Sequence, residues 1–545
     1  MSEPLYGNPK RPYGFELITD VLVEQNVECI FSLAGNSTVS LLKTIEDKGI
    51  EVVGCRTEQG AVLAATGYAV SSGRVGVAIL TAGYSNVAHL GMLNAARGHV
   101  PVVVIAGCNA TTVDELRSQQ EYDQKPMAKS ADVKAAYHVA RGERIPQMLS
   151  WAFNAATSGI PGVAFIDIAQ DVIKGQIDAA SLSDYPVCNM NAKTYGDPGQ
   201  IRKAIDLLTI AKKPAIYVGR LGEAPDISDE LKELVNMTGI PVDTLHGVLG
   251  SHPLNLPNCA GQADVILMVG KANAGYKTEP GPCQYTGKII SVYPDTVNFG
   301  HSYPIEIGIA GDVKLVMKQI VKAAKGIKFP DYSPWVKQLT DAREGMKTML
   351  DRLAQKHMND NPIHPAVAAK KSCDFILRHD IYGKSVVVID GADSMVFYLT
   401  YASSYGIVPQ YPGQIVSMIT IENATAVGLG LAMAVGAATA HPDKLLYIPV
   451  VGDGSLGYNL AEIETLARLN VPAVIVVWNN NSWGMVWQDM RRIYGRNVRS
   501  GCFFSDEVHY EKVGEGLGGI NGGFIKQSGD LSLALDKAYE MAMRE

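Results

Sequence analysis

The sequence predicts an α/β protein of three domains, each with a parallel β-sheet flanked by helices. Three observations lead to this fold class. The chain has 545 residues, which at roughly 150 residues per domain makes three or four domains. Short β-branched runs alternate with helix-like stretches, as in βαβ units. Charged residues make up only 19% and glycines number 54, which fits buried parallel strands joined by tight turns.

The alternation of strands and helices recurs in three segments. The first, from about 12 to 175, has strand signals at 75–80, 100–106 and 163–168. A stretch rich in Pro, Asn, Asp and Gly, 184–200, predicts a linker. The second segment, about 200–325, has strand signals at 215–218, 265–269 and 289–292, and the third, from about 362, has them at 385–389, 445–451 and 474–478. We therefore predict an N-terminal domain over 1–180, a central domain over 195–330 and a C-terminal domain over 360–545.

The composition excludes several classes of protein. A formal net charge of −7 argues against a nucleic-acid-binding surface. Residues 1–11 lack the apolar core of a signal peptide, and the apolar run 423–440, which contains three glycines, predicts a buried helix and not a membrane span. The eight cysteines form no C-x-x-C pair, so we expect the reduced thiols of a cytoplasmic protein.

The sharpest local motif is a strand pattern at 445–451 that runs into the sequence Gly-Asp-Gly-Ser-Leu-Gly at 452–457. Formally this is G-x-G-x-x-G before a helix at 459–469, the dinucleotide fingerprint of a nicotinamide dehydrogenase. However, Asp453 lies where a helix N-terminus would face a pyrophosphate, and a carboxylate there is repulsive unless a divalent cation lies between them. The motif therefore predicts Mg²⁺ or Ca²⁺ with oxygen ligands.

The following strand supplies further oxygen ligands. The run 474–478 leads into three asparagines and a serine at 479–482. Because consecutive parallel strands end at the same edge of a sheet, Asp453 and Asn480 can meet at one ion, with a backbone carbonyl near Ser482 and the diphosphate completing the shell. The alternative is an ordinary tight turn followed by a polar loop.

These residues resemble a known family. GDG at 452–454 followed by Asn479 and Asn480 resembles the motif of thiamine-diphosphate enzymes, in which the Asp, the second Asn and a carbonyl two residues later hold Mg²⁺ on the diphosphate. The resemblance assigns these roles to Asp453, Asn480 and Ser482. It implies the thiamine-diphosphate-binding fold and the cofactors thiamine diphosphate and Mg²⁺.

A second match lies in the N-terminal domain. The segment R-T-E-Q-G-A at 56–61 resembles the R-H-E-Q-G-A stretch of acetolactate synthase-like enzymes, with Thr57 in place of His. Taken alone, Glu58 would be a carboxylate in the first turn of a helix. The resemblance implies that it hydrogen-bonds the aminopyrimidine ring and favours the imino tautomer. In the family this glutamate and the metal motif meet across a subunit interface, which implies a homodimer or a dimer of dimers.

Further matches concern the cofactor and the substrate. Residues 81–86 resemble the Gly-Pro-Gly-x-x-Asn turn of the family, and Val427, before Gly428, takes the place of the apolar wedge that bends the cofactor. Gln120, in Q-E-Y-D-Q at 120–124, resembles a segment of oxalyl-CoA decarboxylase and 2-hydroxyacyl-CoA lyase and is a candidate catalytic residue. The expected cofactor contacts are Gly83, Asn86, Val427, Gly428, Gly452, Gly454, Ser455 and Met485.

Several positions depart from the family pattern and leave alternatives open. Asn36 either lines the substrate pocket or caps the following helix. Glu422 is either a second acid/base near the cofactor or a salt-bridged structural group. Trp483 belongs either to the pocket wall or to the core. The sequence ends at Glu545 inside a helical pattern, where the family usually continues with one more strand and a tail, so the tail is either short or outside this sequence.

The central domain gives weaker signals. In relatives it binds FAD, ADP or nothing. Gly219–Arg220 follows a strand and can approach a phosphate, and Lys271 and Asp295 follow strands where relatives can hold an adenosine ribose. Ordinary βα turns explain these residues equally well.

The resemblance implies an enzyme that breaks or forms a C–C bond of a 2-keto acid or of a 2-hydroxyacyl or oxalyl thioester, of the 2-hydroxyacyl-CoA lyase or oxalyl-CoA decarboxylase type. The alternative within the group is an acetolactate synthase-type carboligase. A different class, a non-catalytic thiamine-fold protein that binds a nucleotide, is disfavoured by Glu58, because that carboxylate serves activation and not binding. We expect a small-molecule substrate and self-association as the only partners.

Overall fold

The computed structural model describes residues 10–83, 85–185, 187, 192–223, 226–244, 246–271, 285–417, 426–495 and 498–544. The chain divides into two compact units. One comprises Met1–Ala192 with Val435–Thr439, and the other Lys193–Ala434 with Ala440–Glu545. The first unit contains one parallel sheet and the second contains two, so the predicted fold class of three parallel sheets flanked by helices is confirmed.

The sheet of the first unit has the strand order β2-β1-β3-β4-β6-β5, and every pairing in it is parallel. Strands β3 and β6 are buried along their whole length, which is why their sequences are apolar without alternation. The strands are β1 (Cys29–Ser32), β2 (Glu51–Gly54), β3 (Gly76–Leu80), β4 (Val102–Cys108), β5 (Ala135–Val139) and β6 (Val163–Ala169). The helices are α1 (Gly14–Glu24), α2 (Val39–Asp47), α3 (Glu58–Ser72), α4 (His89–Arg97), α5 (Gln124–Ser130), α6 (Ile145–Thr157) and α7 (Gln170–Lys174).

The next sheet along the chain has the parallel order β11-β10-β9-β7-β8. Its strands are β7 (Pro214–Val218), β8 (Val242–Asp243), β9 (Val265–Val269), β10 (Lys288–Tyr293) and β11 (Ile307–Ala310). The accompanying helices are α8 (Pro198–Ile210), α9 (Arg220–Glu223), α10 (Ser228–Thr238), α11 (Val313–Ala324) and α12 (Ser333–Lys356).

The third sheet has the parallel order β13-β12-β14-β15, so that β14 is central and β15 lies at an edge among the described residues. Its strands are β12 (Ser385–Asp390), β13 (Ile415–Ser417), β14 (Leu445–Gly452) and β15 (Ala473–Trp478). The helices are α13 (Pro365–His379), α14 (Asp393–Ser404), α15 (Gly430–Ala440), α16 (Asp453–Leu456), α17 (Glu462–Arg468), α18 (Gly484–Tyr494), α19 (Tyr510–Gly516) and α20 (Ser528–Ala542).

Element boundaries differ from the sequence prediction where proline or a cap decides them. The strand predicted from 100 begins at Val102, because Pro101 has no N–H to give to the ladder. The predicted linker 184–200 ends at α8, whose first turn has Pro198 and whose Asp197 side chain accepts a hydrogen bond from the Gln200 amide. Among the described residues, no helix is long and apolar enough to cross a membrane.

Candidate functional site

The GDG turn lies between β14, which ends at Gly452, and the short helix α16, which begins at Asp453. The Asp453 side chain is buried, and its Oδ2 accepts a hydrogen bond from the Ser482 amide at 3.2 Å. Asn480 Oδ1 accepts from the same amide at 3.0 Å and from Ser482 Oγ at 3.0 Å. The carboxylate and amide oxygens predicted from the sequence therefore converge on one N–H group.

The backbone of Ser482 faces these oxygens. Ser482 forms an antiparallel bridge with Phe503, but the two hydrogen bonds of this bridge use the neighbours: Trp483 donates to Cys502 and Phe504 donates to Asn481, each at 2.8 Å. In an extended strand the N–H and C=O of one residue point to the same side. The Ser482 carbonyl is thus directed away from Phe503, toward the side where its amide meets Asp453.

This arrangement suits a hard divalent cation. Burial raises the pKa of Asp453, and the amides of Gly454, Ser482 and Asn481 act in the opposite direction without cancelling it. A buried carboxylate with no cation beside it is costly, and an ion with oxygen ligands would relieve that cost. In addition, Asn481 Oδ1 is buried and has no hydrogen-bond partner among the described residues. The residues present therefore fit Mg²⁺.

Close contacts explain the glycines around the turn. A Cβ on Gly454 would come within 2.6 Å of the Trp483 ring, and one on Gly484 within 2.5 Å of Asn480 Nδ2. The Trp483 ring also packs edge-on against Tyr458 and Phe504, with centroid distances of 6.2 and 5.2 Å. The small residues thus allow an aromatic wall to lie directly on the GDG turn.

A second turn, at Gly428, is fixed from both sides. Gly428 has φ +85°, and its amide donates to Asp390 Oδ1 at 3.0 Å while the Gly430 amide donates to Oδ2 at 2.8 Å. On the other side Asn459 Nδ2 donates to the Gly428 carbonyl at 2.5 Å. Burial raises the pKa of Asp390. Sequence reasoning missed Asp390 and Asn459, although Asp390 ends β12 at the same edge of the sheet as Asp453, which was an available signal.

A cavity of about 1830 Å³ joins most of the predicted residues of the second unit. Ligand pockets usually have roughly 300–1,000 Å³, and this one is larger because it continues along β15 at the edge of the sheet. Sequence reasoning missed Asp393, which also lines it and whose pKa burial raises, with Gln488 Nε2 donating to Oδ2 at 2.5 Å. The predicted residues around this cavity are Val427, Gly452, Asp453, Gly454, Ser455, Asn480, Ser482, Trp483 and Met485.

Glu58 belongs to the first unit, as the first residue of α3 after β2. Thr57 caps the helix by accepting a hydrogen bond from the Gly60 amide at 2.8 Å. All but two of the 15 residues of α3 are buried, and Glu58 is only 5% exposed. Burial raises the pKa of its carboxyl group, opposed only by its own backbone amide. The structure therefore has a buried carboxyl group with a raised pKa at this strand end, as general acid–base chemistry requires.

Other predicted residues of the first unit are more exposed. Gly83 has φ +79°, and a Cβ there would come within 2.4 Å of the Gln120 Cβ, so the structure brings these two residues together. The side chains of Gln120, Asn36 and Asn86 are exposed. Asn36 does not cap α2, because the cap position is Thr38.

Glu422, the proposed second acid/base, lies outside the described residues. In the central sheet the Gly219 and Leu221 amides donate to the carbonyls of Val269 and Gly270, at 2.8 and 3.1 Å. Asp295 accepts from the Val297 and Asn298 amides, at 3.0 and 3.3 Å, within its own turn. These hydrogen bonds are those of ordinary turns.

The sequence matches three family models, which together span most of the chain. They are the thiamine pyrophosphate enzyme N-terminal TPP binding domain at residues 13–127, the central domain at 201–320 and the C-terminal TPP binding domain at 403–544. Curated proteins are similar to the chain over nearly its whole length. A probable acetolactate synthase large subunit of Methanococcus aeolicus is 27% identical, with 96% of this chain and 90% of that protein covered.

Two further relatives carry different names. An acetolactate synthase large subunit of Buchnera aphidicola is 29% identical, with 97% of this chain and 93% of that protein covered. A 2-hydroxyacyl-CoA lyase 1 of Mus musculus is 25% identical, with 97% and 92% covered. With three parallel sheets and all three domain models matched, the chain belongs to the thiamine pyrophosphate enzymes, in the group that contains acetolactate synthases and 2-hydroxyacyl-CoA lyases.

Proposed function

We propose that the protein is a Mg²⁺-dependent lyase or carboligase that breaks or forms a C–C bond of a 2-keto acid or of a 2-hydroxyacyl or oxalyl thioester. The observation that carries this proposal is the convergence of Asp453 and Asn480 on the Ser482 amide inside a large cavity. The buried carboxyl group of Glu58 supplies the second element that such chemistry needs.

The cavity residues bind and orient the cofactor. Asp453, Asn480 and the Ser482 carbonyl are the ligands we assign to Mg²⁺, and Val427 with the rigid Gly428 turn supports the middle of thiamine diphosphate. The cofactor, when bound, supplies the electron sink that stabilises the carbanion left by C–C cleavage next to a carbonyl. Trp483 and Met485 line the wall and exclude water.

We assign to Glu58 the exchange of a proton with the cofactor. Burial favours the protonated form, so the group can donate a hydrogen bond to a ring nitrogen and take the proton back within the same contact. We assign to Gln120 a contact with the substrate, because its neighbour Gly83 forms the turn that resembles the cofactor-binding turn of the family. The role of Glu422 as acid/base is part of the same proposal.

Cofactor binding is tested by Asp453→Asn. The amide keeps the size of the side chain but loses the charge that attracts Mg²⁺, so thiamine diphosphate affinity should fall by two orders of magnitude or more, in keeping with the loss of a metal ligand. Trp483 lies on the turn, so binding of the cofactor should change its fluorescence, which measures the affinity. The exposed Asp443→Asn serves as the matched control. A nicotinamide enzyme would instead bind NAD in the presence of EDTA, and that result would refute the proposal.

The substrate is tested with a panel of pyruvate, oxalyl-CoA and a 2-hydroxyacyl-CoA, each with Mg²⁺ and thiamine diphosphate and with product identification. Cleavage of a thioester substrate supports the lyase or decarboxylase type. Acetolactate formed from pyruvate supports the acetolactate synthase type, the second candidate, whose name several relatives carry. A yellow protein with a flavin spectrum would show FAD in the central domain, whereas ADP released on denaturation would show the nucleotide there.

The remaining features of the proposal concern the whole chain. We retain the domain boundaries 1–180, 195–330 and 360–545 and the self-association that the family resemblance implies. The cysteines among the described residues are free thiols, which supports a reducing, cytoplasmic compartment.

A further inference from the structure

The first unit holds a group of metal-ligating side chains that the proposed chemistry does not use. Cys108 ends β4, His138 lies on β5 and Asp167 lies on β6, and their ligand atoms all lie within 4.8 Å of one another. The strand register places them together: His138 pairs with Asp167, and Asp167 pairs with Ala106, two residues before Cys108 on the same face of β4. In sequence they are 29 and 30 positions apart, which is why spacing did not reveal them.

The sulfur of Cys108 and one carboxylate oxygen of Asp167 both lie near the same ring nitrogen of His138. His138 Nδ1 lies 2.7 Å from Asp167 Oδ1 and 4.0 Å from Cys108 Sγ. A nucleophilic Cys-His-Asp triad needs the thiol and the carboxylate on different ring nitrogens, so that one orients the ring while the other exchanges the proton. Here both face Nδ1, so the geometry is that of a chelate and not of a triad.

Two of the three distances between the ligand atoms are near those of a zinc site. With Zn–S near 2.3 Å and Zn–N and Zn–O near 2.0–2.2 Å, a tetrahedral site has S···N of about 3.5 Å and N···O of about 3.3 Å. Closing the first distance and opening the second requires shifts of about half an ångström each. The distance from Cys108 Sγ to the Asp167 carboxylate, which is within 4.8 Å, must become about 3.5 Å. The His138 side chain is 35% exposed, which leaves a path for the ion and an open fourth position for water.

The surroundings support a cation and hold the ligands in place. Asp167 is 4% exposed, and its other oxygen, Oδ2, accepts a hydrogen bond from Gln124 Nε2 at 3.3 Å. The same nitrogen donates to the Gly107 carbonyl at 2.9 Å, which holds the glutamine side chain in place. In metal sites, groups that hydrogen-bond a ligand in this way orient that ligand toward the ion. Asp114 and Asp171 add negative charge near Cys108, opposed by Lys125.

We propose that Cys108, His138 and Asp167 bind a divalent transition-metal ion of the zinc type. This ion would cross-link the edge strand β5 to β6 and β4. Sulfur and nitrogen ligands favour this class of ion, whereas the oxygen ligands at Asp453 favour Mg²⁺. Binding displaces the thiol proton of Cys108 and requires His138 Nδ1 to be unprotonated, so each ion bound releases at least the thiol proton. The proposal is independent of the proposed enzymatic function.

The test is a titration of metal-free protein with Co²⁺, in the presence of excess Mg²⁺ and thiamine diphosphate. We expect one equivalent of Co²⁺ per chain with an intense thiolate-to-cobalt charge-transfer band. Cys108→Ser and His138→Gln should abolish the band. Cys55→Ser, which changes a buried thiol elsewhere in the same unit, and Asp453→Asn should retain it. No band in the wild type, or a band that persists in Cys108→Ser, would overturn the proposal.

A second measurement covers the case in which Cys108→Ser folds poorly. Zn²⁺ should raise the melting temperature of the wild type, because it binds only the folded arrangement of the three strands. His138→Gln alters a partly exposed side chain and should fold, but its melting temperature should not respond to Zn²⁺. An equal Zn²⁺ response in wild type and His138→Gln would count against the site.

Discussion

Folding removes the carboxyl group of Glu58 from water, and among the described residues burial, not a neighbouring charge, dominates its pKa. Its pKa in the folded chain is raised above the ordinary 4.5, because burial penalises the charged form. At a pH below 4.5 the group is neutral in both states and folding carries no penalty. As the pH rises through the folded pKa, the unfolded chain ionises more readily, and stability is lost.

The prediction concerns Glu58→Gln in the cofactor-free protein. The neutral amide removes the penalty, so the variant should gain stability relative to wild type as the pH rises above the ordinary pKa of 4.5. Urea unfolding at several pH values measures this difference, and the exposed Glu51→Gln on β2 should show none. If the wild type instead became more stable than the variant as the pH rose, the pKa of Glu58 would be set by a cationic partner and not by burial.

Asp390 illustrates a buried carboxylate with a structural role. Both of its oxygens accept backbone amides of the Gly428 turn. Asp390→Asn would turn an NH₂ group toward one of these N–H donors, so we expect a loss of roughly 1–3 kcal/mol in the free energy of unfolding and weaker thiamine diphosphate binding. Urea titration and binding by fluorescence measure both effects. Asp380→Asn, whose carboxylate is 92% exposed, is the control and should leave both unchanged.

At the scale of elements, two glycine-to-alanine substitutions with opposite expected effects on stability test whether the backbone turn at Gly428 is strained. Gly428 has φ +85°, and a Cβ there would lie 2.5 Å from the Tyr458 ring. Gly428→Ala should therefore cost roughly 1–3 kcal/mol, and Tyr458→Ala in the same chain should recover only the steric part, because the backbone strain remains.

Gly345 provides the matched opposite case. It lies inside α12, and a Cβ there would meet nothing within 4 Å. Gly345→Ala should raise stability by roughly 0.5–1 kcal/mol, because alanine loses less backbone entropy than glycine in a helix. Chemical denaturation measures both variants, and a stabilising Gly428→Ala would contradict the strained turn.

The elements show what the sequence could predict. Strand β9 has the predicted bounds 265–269, because a continuous apolar run between turn residues marks a buried parallel strand. Asp453 and Asn480 were found because parallel strands end at one edge of a sheet, a rule that needs only local patterns. Asp390 also lies at the end of a parallel strand at this edge, but no recognisable motif next to it in the sequence marked it as a site residue. The cluster at Cys108 depends on the register of three strands across 60 residues, which no local pattern encodes.

At the scale of the whole molecule, Glu58 and Asp453 belong to different units of the chain. The family resemblance implies that one active site takes the glutamate of one chain and the metal ligands of another. A chain lacking Glu58 and a chain lacking Asp453 should complement each other, because their mixed dimer holds one site with both groups intact.

The prediction uses Glu58→Gln and Asp453→Asn, each of which we expect to be nearly inactive alone. After the two chains are coexpressed or refolded together, random pairing makes half of the dimers mixed, and activity should return to about a quarter of the wild-type value. Each variant alone should stay inactive after the same procedure. A mixture of the two variants under conditions in which the dimers do not exchange chains should also stay inactive. Sedimentation should give a mass of at least two chains of 58.5 kDa. Mixed dimers that form but remain inactive would show that each site takes both groups from a single chain.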